Sequence, residues 1–244
     1  MTYIVPLNNV THRSLKVDLR ASAAYGDSQH FVQVIVNEFP HLVVHYPILF
    51  SKDKNTGQFY CGVMLGFEEG ENLFIDQWVV REFYRPLALQ RAPFYTHGQE
   101  VAIDLDHPRV GAEGGQPLFN EHGYPTKHLQ SIIWAFQDLK PGIETTRSFV
   151  ARLTELKLIE PVDIEVECED GATRYCEGLY TVNQETLSRI PDVVVVELFR
   201  RGYMRLMHLM IASLKHVPLM ARKKNERLLK ATEGLAPPHT PPLG

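Results

Sequence analysis

Two short stretches of the chain place carboxylates and imidazoles at spacings that suit metal ligands or acid–base groups. The first contains Asp104, Asp106 and His107, which end a predicted strand over residues 100–105 and open a Gly- and Pro-rich loop over residues 107–125. Because side chains alternate along a strand, Asp104 and Asp106 are predicted to face the same way, where paired carboxylates bind a cation or have separated pKa values. Aspartates at strand ends also accept hydrogen bonds from turn N–H groups, so a structural role is the alternative.

The second stretch contains Glu38, His41 and His45, which are three and four residues apart in a helix predicted over residues 37–46. This spacing places one carboxylate and two imidazoles on one helix face, and zinc or iron binds such ligands. The order differs from His-Glu-x-x-His, and Pro40 disturbs the helix. The alternative is that Glu38 pairs locally while the histidines lie at a partly exposed edge. No cofactor is predicted, and a divalent metal at either stretch is the alternative.

Methionines recur every third residue, at Met204, Met207 and Met210, in a predicted long helix. Methionine side chains are flexible and polarisable, which suits a surface that binds a protein partner. Core packing is the alternative, and a helix that is apolar on several sides also suits an oligomer interface.

The same region ends in basic residues, namely Lys215, Arg222, Lys223, Lys224, Arg227 and Lys230. Such a segment is most often a solvated helix face, and contact with nucleic acid or anionic lipid is the alternative. The formal net charge of the 244-residue chain is −4, however, and a dedicated nucleic-acid-binding protein requires a basic face that neutralises phosphates. We therefore predict no DNA partner.

Several catalytic signatures are absent from the sequence, which has no phosphate-binding Gly loop, nucleophile elbow or dinucleotide fingerprint. The three cysteines, Cys61, Cys168 and Cys176, are too scattered for a zinc ribbon or a disulfide framework, and their odd number suits a reducing compartment. The N-terminus has no Sec-type pattern, and charged residues and histidines interrupt the most apolar window, residues 204–220. These observations predict a cytoplasmic protein without a membrane span.

The elements that position these groups are predicted to centre on a β-meander within residues 46–76. Residues 48–52 and 59–66 flank a loop that contains Asn55 and Gly57, which is typical of a β-hairpin, and residues 73–75 are predicted to be a third strand.

Further along the chain, a second hairpin is predicted from the strict alternation of apolar and acidic residues over residues 162–168, with a returning strand over residues 173–182. A turn centred on Asp170-Gly171 places Arg174 opposite Glu167. The same register puts Cys168 and Cys176 on opposite faces, where they cannot form a disulfide.

Helices are predicted to cover the sheet. Apolar residues at helical spacing predict two helices that are separated by Lys140-Pro141-Gly142 and form an antiparallel hairpin. More helices are predicted over residues 184–190, 192–202 and 203–230, with a break at Pro218. The fold class is therefore α+β, with an antiparallel or mixed sheet packed by a helical hairpin and long C-terminal helices. We predict a single domain over residues 1–232 and a flexible Pro-rich tail over residues 233–244.

The order of short motifs resembles that of the SapC-like family of bacterial proteins. The matching residues extend over about residues 1–220 and are Ile4-Val5-Pro6-Leu7-Asn8, His12, Leu15, His30, Glu38-Phe39, Tyr46-Pro47-Ile48-Leu49-Phe50, Leu65-Gly66, Glu71-Asn72-Leu73-Phe74, Trp78, Arg91-Ala92-Pro93-Phe94, Pro117-Leu118-Phe119 and Gly202-Tyr203. The sequence departs from the family pattern at Ala92, where an aromatic residue is expected, and at Trp78-Val79-Val80, which lacks a Gly-Trp turn.

This resemblance implies a setting rather than a reaction. Members of the family commonly lie beside genes for TonB-dependent receptors and flavin-dependent tryptophan-halogenase-like proteins, and no catalytic residue follows from the resemblance. We therefore predict a non-catalytic accessory protein of such an uptake or modification system. It would bind a halogenase or a second copy of itself through the methionine-rich helix and the 107–125 loop. The alternatives are a metal-dependent enzyme that uses Asp104, Asp106 and His107, and a surface-layer-associated structural protein.

Overall fold

The structure, a computed structural model, describes residues 3–79, 83–97 and 100–235. Within these ranges the strands are β1 (Ile4–Pro6), β2 (Lys16–Val17), β3 (Phe31–Gln33), β4 (Ile48–Lys52), β5 (Phe59–Met64), β6 (Phe94–His97), β7 (Glu100–Asp104), β8 (Gln116–Pro117), β9 (Ile159–Pro161), β10 (Ile164–Glu167), β11 (Thr173–Cys176) and β12 (Leu179–Val182). The α-helices of the same ranges are α1 (Phe39–Leu42), α2 (Ile75–Val79), α3 (Leu87–Gln90), α4 (Lys127–Glu155), α5 (Gln184–Ser188), α6 (Asp192–Arg200), α7 (Tyr203–Ser213) and α8 (His216–Leu235).

The largest sheet of the described residues has the strand order β3-β5-β4-β12-β9 and is antiparallel throughout. Strands β1, β7 and β6 form a second antiparallel sheet, while β10 with β11 and β2 with β8 form separate pairs. The α+β class predicted from the sequence is therefore confirmed.

The predicted hairpin around residues 53–57 is confirmed. Strands β4 and β5 pair with Lys52 opposite Phe59. The Asp53 carboxylate accepts a 2.8 Å hydrogen bond from the Thr56 N–H, and Gly57 has a φ of +68°. These local contacts fix the turn and therefore the register of the two strands.

The predicted third strand of the meander, over residues 73–75, is wrong. The Asn72 side chain accepts a 2.9 Å hydrogen bond from the Phe74 N–H, which bends the chain in an Asx turn, and α2 begins at Ile75. The second neighbour of β5 is instead β3, which precedes β4 in the chain and places Val32 opposite Val63. The central sheet is therefore not a meander.

The predicted helical hairpin is also wrong, because α4 is one helix of 29 residues with Pro141 inside it. Pro141 lacks the N–H that would donate to the carbonyl four residues earlier in the helix. A side chain nevertheless supports the next turn, because Thr146 Oγ1 donates a 2.7 Å hydrogen bond to the Gly142 carbonyl. The absence of a Cβ at Gly142 also leaves room for Ile35, since a Cβ there would lie 2.5 Å from Ile35 Cδ1. Tertiary packing thus keeps the helix continuous.

The second hairpin is present, but its predicted register is shifted by one residue. Arg174 lies opposite Val166 rather than Glu167. Cys176 consequently pairs with Ile164 and shares a strand face with Cys168, whereas opposite faces were predicted. The predicted return strand also divides, because β11 ends at Cys176 and β12 joins the large sheet. All three cysteines are free thiols within the described ranges.

The C-terminal helices differ from the prediction in the position of their break. Helix α7 ends at Ser213 and α8 begins at His216, so the break precedes Pro218. Pro218 lies in the first turn of α8, where a missing N–H costs no helical hydrogen bond. Ser213 Oγ accepts a 2.8 Å hydrogen bond from the Ile48 N–H and so joins α7 to β4. Helix α8 ends at Leu235, and the rest of the predicted tail, residues 236–244, lies outside the described residues.

Apolar side chains of the described residues form two buried clusters. The larger cluster includes Phe50 of β4, Phe149 of α4 and Met207 of α7. The smaller cluster includes Phe94 of β6 and Leu129 of α4. Helix α4 therefore contributes to both clusters. Across the described ranges, no helix has both the length and the apolar composition needed to cross a membrane.

Candidate functional site

The Glu38 carboxylate acts as a buried hydrogen-bond acceptor. It accepts hydrogen bonds from the Ile35 N–H at 3.1 Å, the Leu87 N–H at 2.7 Å and the Tyr84 hydroxyl at 3.2 Å. Burial raises the pKa of Glu38, while these hydrogen bonds act in the opposite direction. The carboxylate therefore joins the turn before α1 to the start of α3.

The two histidines that were predicted to share a metal-binding face with Glu38 contact aromatic rings. His41 stacks on Tyr84 with ring centroids 5.2 Å apart, and His45 stacks on Phe83 at 4.1 Å. Burial lowers the pKa of His45, and the nearby His216 lowers it further. Glu38 and His41 therefore both contact Tyr84, through its hydroxyl and its ring respectively, whereas His45 contacts Phe83.

Asp104 and His107 likewise bind backbone groups at the end of β7. Asp104 Oδ1 accepts hydrogen bonds from the Tyr3 N–H at 2.9 Å and the Asp106 N–H at 3.2 Å, and His107 Nδ1 accepts one from the Arg109 N–H at 3.1 Å. Asp104 is buried whereas Asp106 is exposed, because the strand ends at Asp104 and the predicted alternation stops there. Burial and the Arg109 charge lower the pKa of His107. Within the described residues no three His, Cys, Asp or Glu side chains group closely enough to hold a metal ion.

A buried charge network lies next to His107 and was not predicted. Asp27 accepts hydrogen bonds from the guanidinium groups of both Arg85 and Arg109, at 2.6 Å in the case of Arg109. Arg109 is 1% exposed, and it also donates to the Asp18 carbonyl at 2.9 Å and lies 4.7 Å from the centre of the Tyr25 ring. The network holds the 107–125 loop against the N-terminal segment.

Asp18 extends this network towards the surface. Its carboxylate accepts hydrogen bonds from the Arg20 guanidinium and, at 2.8 Å, from the Tyr25 hydroxyl. The Arg20 side chain is the main reason that the pKa of Asp18 is far below its usual value, although burial opposes the shift. Sequence patterns gave no indication of this network, because its members lie in segments without periodicity.

A second unpredicted feature is an apolar groove between α6 and α7, hereafter the α6/α7 groove. Its volume is about 710 Å³, and it is lined by Val195, Val196, Phe199, Arg200, Gly202, Met204, Arg205 and His208. On α6, Val193 is 76% exposed and Phe199 is 74% exposed, with Val196 between them. Successive members of this set are three positions apart (i, i+3), so they form one apolar stripe along the helix. The run of valines from residue 193 to 196 was the sequence signal for it.

The candidate methionines occupy different environments. Met207 and Met210 are fully buried in the larger cluster, and Met204 alone among the three lines the α6/α7 groove. Leu198 fixes the opposite side of α6 in the core, and Arg152 of α4 donates to Glu197 at 2.7 Å. These contacts orient α6 so that its stripe faces outwards.

Two basic residues of α8 bind groups within the fold. Lys224 is buried and lies 2.6 Å from carboxylate oxygens of both Glu68 and Glu71. Arg227 donates to the backbone carbonyls of Asn72 and Leu73. The interpretation of this segment as a solvated face therefore fails for Lys224.

A wider cleft of about 1520 Å³ runs between α4 and the β4–β5 hairpin. Its lining mixes aromatic residues with charges of both signs, including Lys52 and Arg147 as well as Glu155 and Glu177. No single ligand chemistry is favoured by this balanced lining.

The fold and these surfaces define an α+β protein whose C-terminal helices present an exposed apolar groove. Among the ionisable candidates, Glu38, Asp104 and His107 bind backbone groups, whereas His41 and His45 contact aromatic rings. The chain belongs to the SapC family, since the family model matches residues 7–219. Searches of curated proteins and of solved structures found no match.

Proposed function

We propose that this SapC-family protein is a non-catalytic accessory protein that binds a protein partner through the α6/α7 groove. The observation that supports the proposal is the apolar stripe of α6, in which Val193 and Phe199 each expose about three quarters of their surface (76% and 74%). Large contiguous apolar surfaces on a folded chain are typical of interaction sites.

The size of the stripe is compatible with useful binding energy. Full burial of a Val or Phe side chain contributes roughly 1.5–3 kcal/mol. Binding also has to offset the ordering and desolvation costs of association. Val193, Val196 and Phe199 together therefore suit a reversible complex better than a permanent one.

The proposed setting is the one that the family resemblance implies, an uptake or modification system with a TonB-dependent receptor and a flavin-dependent halogenase-like protein. In this setting the halogenase-like protein is the proposed partner, and the SapC-family chain assists it without performing a reaction of its own.

The proposal is tested by measuring binding of the purified chain to the halogenase-like protein of the same locus by isothermal titration calorimetry. Phe199→Asp places a charge on an exposed residue of the stripe that also lines the groove, and it is expected to weaken binding at least tenfold. Val10→Asp is the matched control, because Val10 is 81% exposed and lies outside the groove. Equal affinity of the two variants would contradict the proposal.

A further inference from the structure

The charged residues around the α6/α7 groove have one sign. Arg200 and Arg205 line it together with His208, and no acidic residue belongs to the lining in the described part of the chain. The nearest carboxylate on α6, Glu197, is turned towards Arg152 and Arg201, at 2.7 Å and 3.2 Å respectively. The rim is thus basic although the whole chain has a formal net charge of −4.

Arg200 and Arg205 also differ from most arginines of this protein. Arg152, Arg174 and Arg227 each bind at least one carboxylate. Neither Arg200 nor Arg205 forms an ion pair or a side-chain hydrogen bond with any described residue. Two unpaired guanidinium groups beside an apolar groove are complementary to carboxylates on an apolar partner.

The shape of the groove suits a helix. Helices α6 and α7 are joined by a tight turn at Gly202, which has a φ of +75°, and residues of both helices line the groove beside this turn. An amphipathic helix that lies in such a channel inserts side chains at positions i, i+3, i+4 and i+7. A volume of about 710 Å³ has room for a few large apolar side chains rather than for a whole domain.

A second copy of this chain is a poorer occupant. A stable dimer usually buries about 800 Å² per partner, from some 20–30 residues on each side. The exposed apolar surface here is limited to one nine-residue helix and the groove beside it. A short helical segment covers this area, whereas a dimer requires considerably more.

From these observations we infer that the α6/α7 groove binds a short amphipathic helix of another protein, whose apolar side chains enter the groove and whose carboxylates contact Arg200 and Arg205. This inference rests on the proposed function and specifies the chemistry of the partner segment.

The test is a selection from a displayed library of 14-residue helices on the full-length chain. Apolar residues are fixed at positions i, i+3, i+4 and i+7, and the remaining positions are randomised among Asp, Glu, Lys, Gln and Ser. Helices selected on the wild-type chain are expected to be enriched in Asp and Glu. Helices selected on Arg200→Glu/Arg205→Glu are expected to be enriched in Lys.

Two controls make the outcomes distinct. Arg147→Glu/Arg189→Glu reverses two exposed charges elsewhere, at residues that are 70% and 74% exposed, and is expected to leave the acidic preference unchanged. A selected acidic helix is expected to bind Arg200→Glu/Arg205→Glu about fivefold or more weakly, given that an exposed charge pair contributes up to about 1 kcal/mol.

The inference would be overturned if the helices selected on the wild-type chain showed no preference for acidic over basic residues. It would also be overturned if selection on the wild-type chain enriched no more helices than selection on Phe199→Asp. A concentration-dependent dimer that Phe199→Asp dissolves, measured by light scattering, would also overturn it in favour of a second copy. The proposed function is contradicted by a different result, namely equal affinity of the halogenase-like protein for wild type and Phe199→Asp.

Discussion

Asp27 accepts hydrogen bonds from two arginines that have little access to water, Arg85 and Arg109. Removing the charge from one partner of a buried ion pair leaves the other charge without compensation. Asp27→Asn is therefore expected to lower the free energy of unfolding by about 3–5 kcal/mol, as measured by urea denaturation.

Asp76→Asn is the matched control for this prediction. Asp76 also pairs with an arginine, Arg227, but its side chain is 77% exposed. An exposed pair contributes at most about 1 kcal/mol, so this variant should unfold close to wild type. Similar losses in the two variants would show that the Asp27 network does not stabilise the fold.

The thiol of Cys176 is expected to react slowly. Burial, together with the nearby Glu71 and Glu68 carboxylates, raises the pKa of Cys176 to about 11 from an ordinary value of 9.0. At pH 8 its thiolate fraction, and hence its alkylation rate, is roughly 100-fold below that of an unshifted thiol. Intact-mass measurement of iodoacetamide labelling checks this, with the urea-unfolded chain as the reference. Rapid labelling of Cys176 in the native chain would contradict the raised pKa.

At the residue scale, the sequence located Asp104 and His107 at a strand end because a local pattern marks that position. It did not locate the Asp27–Arg109 pair, whose members are 82 residues apart. Such a pair forms only when two non-periodic segments meet in space, and neither segment has a hydrophobic pattern that predicts the meeting.

In strand β5, Gly62 lies so close to the Phe31 ring of β3 that only glycine fits at this position. A Cβ at Gly62 would lie 2.2 Å from Cε1 of the Phe31 ring on β3. Gly62→Ala is therefore expected to cost about 1–3 kcal/mol in chemical denaturation. In a Phe31→Ala background the same substitution should cost much less, and an unchanged penalty in that background would show that the ring is not the cause.

Helix α8 is expected to depend on Lys224 for its attachment to the turn that contains Glu68 and Glu71. Lys224→Met removes hydrogen bonds to both carboxylates and should lower the free energy of unfolding by about 2 kcal/mol. Lys230→Met, at an exposed position of the same helix, should have little effect. Equal stability of the two variants at pH 7 would contradict this role.

The contribution of Lys224 should also depend on pH. Burial lowers the pKa of Lys224, but its hydrogen bonds to Glu68 and Glu71 outweigh burial, so that the pKa lies above its ordinary value of 10.5. The folded state therefore holds this proton more tightly than the unfolded state does. This stabilisation is complete below pH 10.5 and is lost as the pH rises through the folded-state pKa. Urea denaturation of wild type and Lys224→Met across this pH range measures the loss.

The elements that the sequence predicted correctly are those fixed by local chemistry. Asp53 and Gly57 specify the β4–β5 turn, and alternation specifies β10. The continuous α4 was not predictable, because Pro141 and Gly142 normally end a helix and only contacts with Thr146 and Ile35 show why this one continues. The pairing of β3 with β5 was missed for a similar reason, since strand order depends on packing between distant segments.

For the whole molecule, α4 is the element common to both buried clusters. Leu129 packs in the smaller cluster and Phe149 in the larger one. A rigid helix that is shared in this way couples the stability of its two ends, which supports the proposal of a single domain.

This coupling is testable with the two tryptophans. Trp78 is buried in the larger cluster, and Trp134 is exposed on the half of α4 that packs on the smaller one. We expect Trp78→Phe and Trp134→Phe, each of which leaves one reporter, to show fluorescence transitions in urea with the same midpoint as the circular dichroism of that variant. A fluorescence midpoint that differs from the circular dichroism midpoint within one variant would indicate clusters that unfold independently.

The insertion of β12 between β4 and β9 has a consequence for synthesis on the ribosome. Tyr180 must be synthesised before Phe50, which already pairs with Cys61 of β5, gains its second neighbour in the sheet, and β1 likewise cannot pair until β7 is made. The apolar β4–β5 hairpin therefore lacks its pairing partner β12 while more than a hundred further residues are translated. During that interval the nascent chain should expose apolar surface and an unpaired strand edge, which favour aggregation, and slowing translation alone should not help it fold.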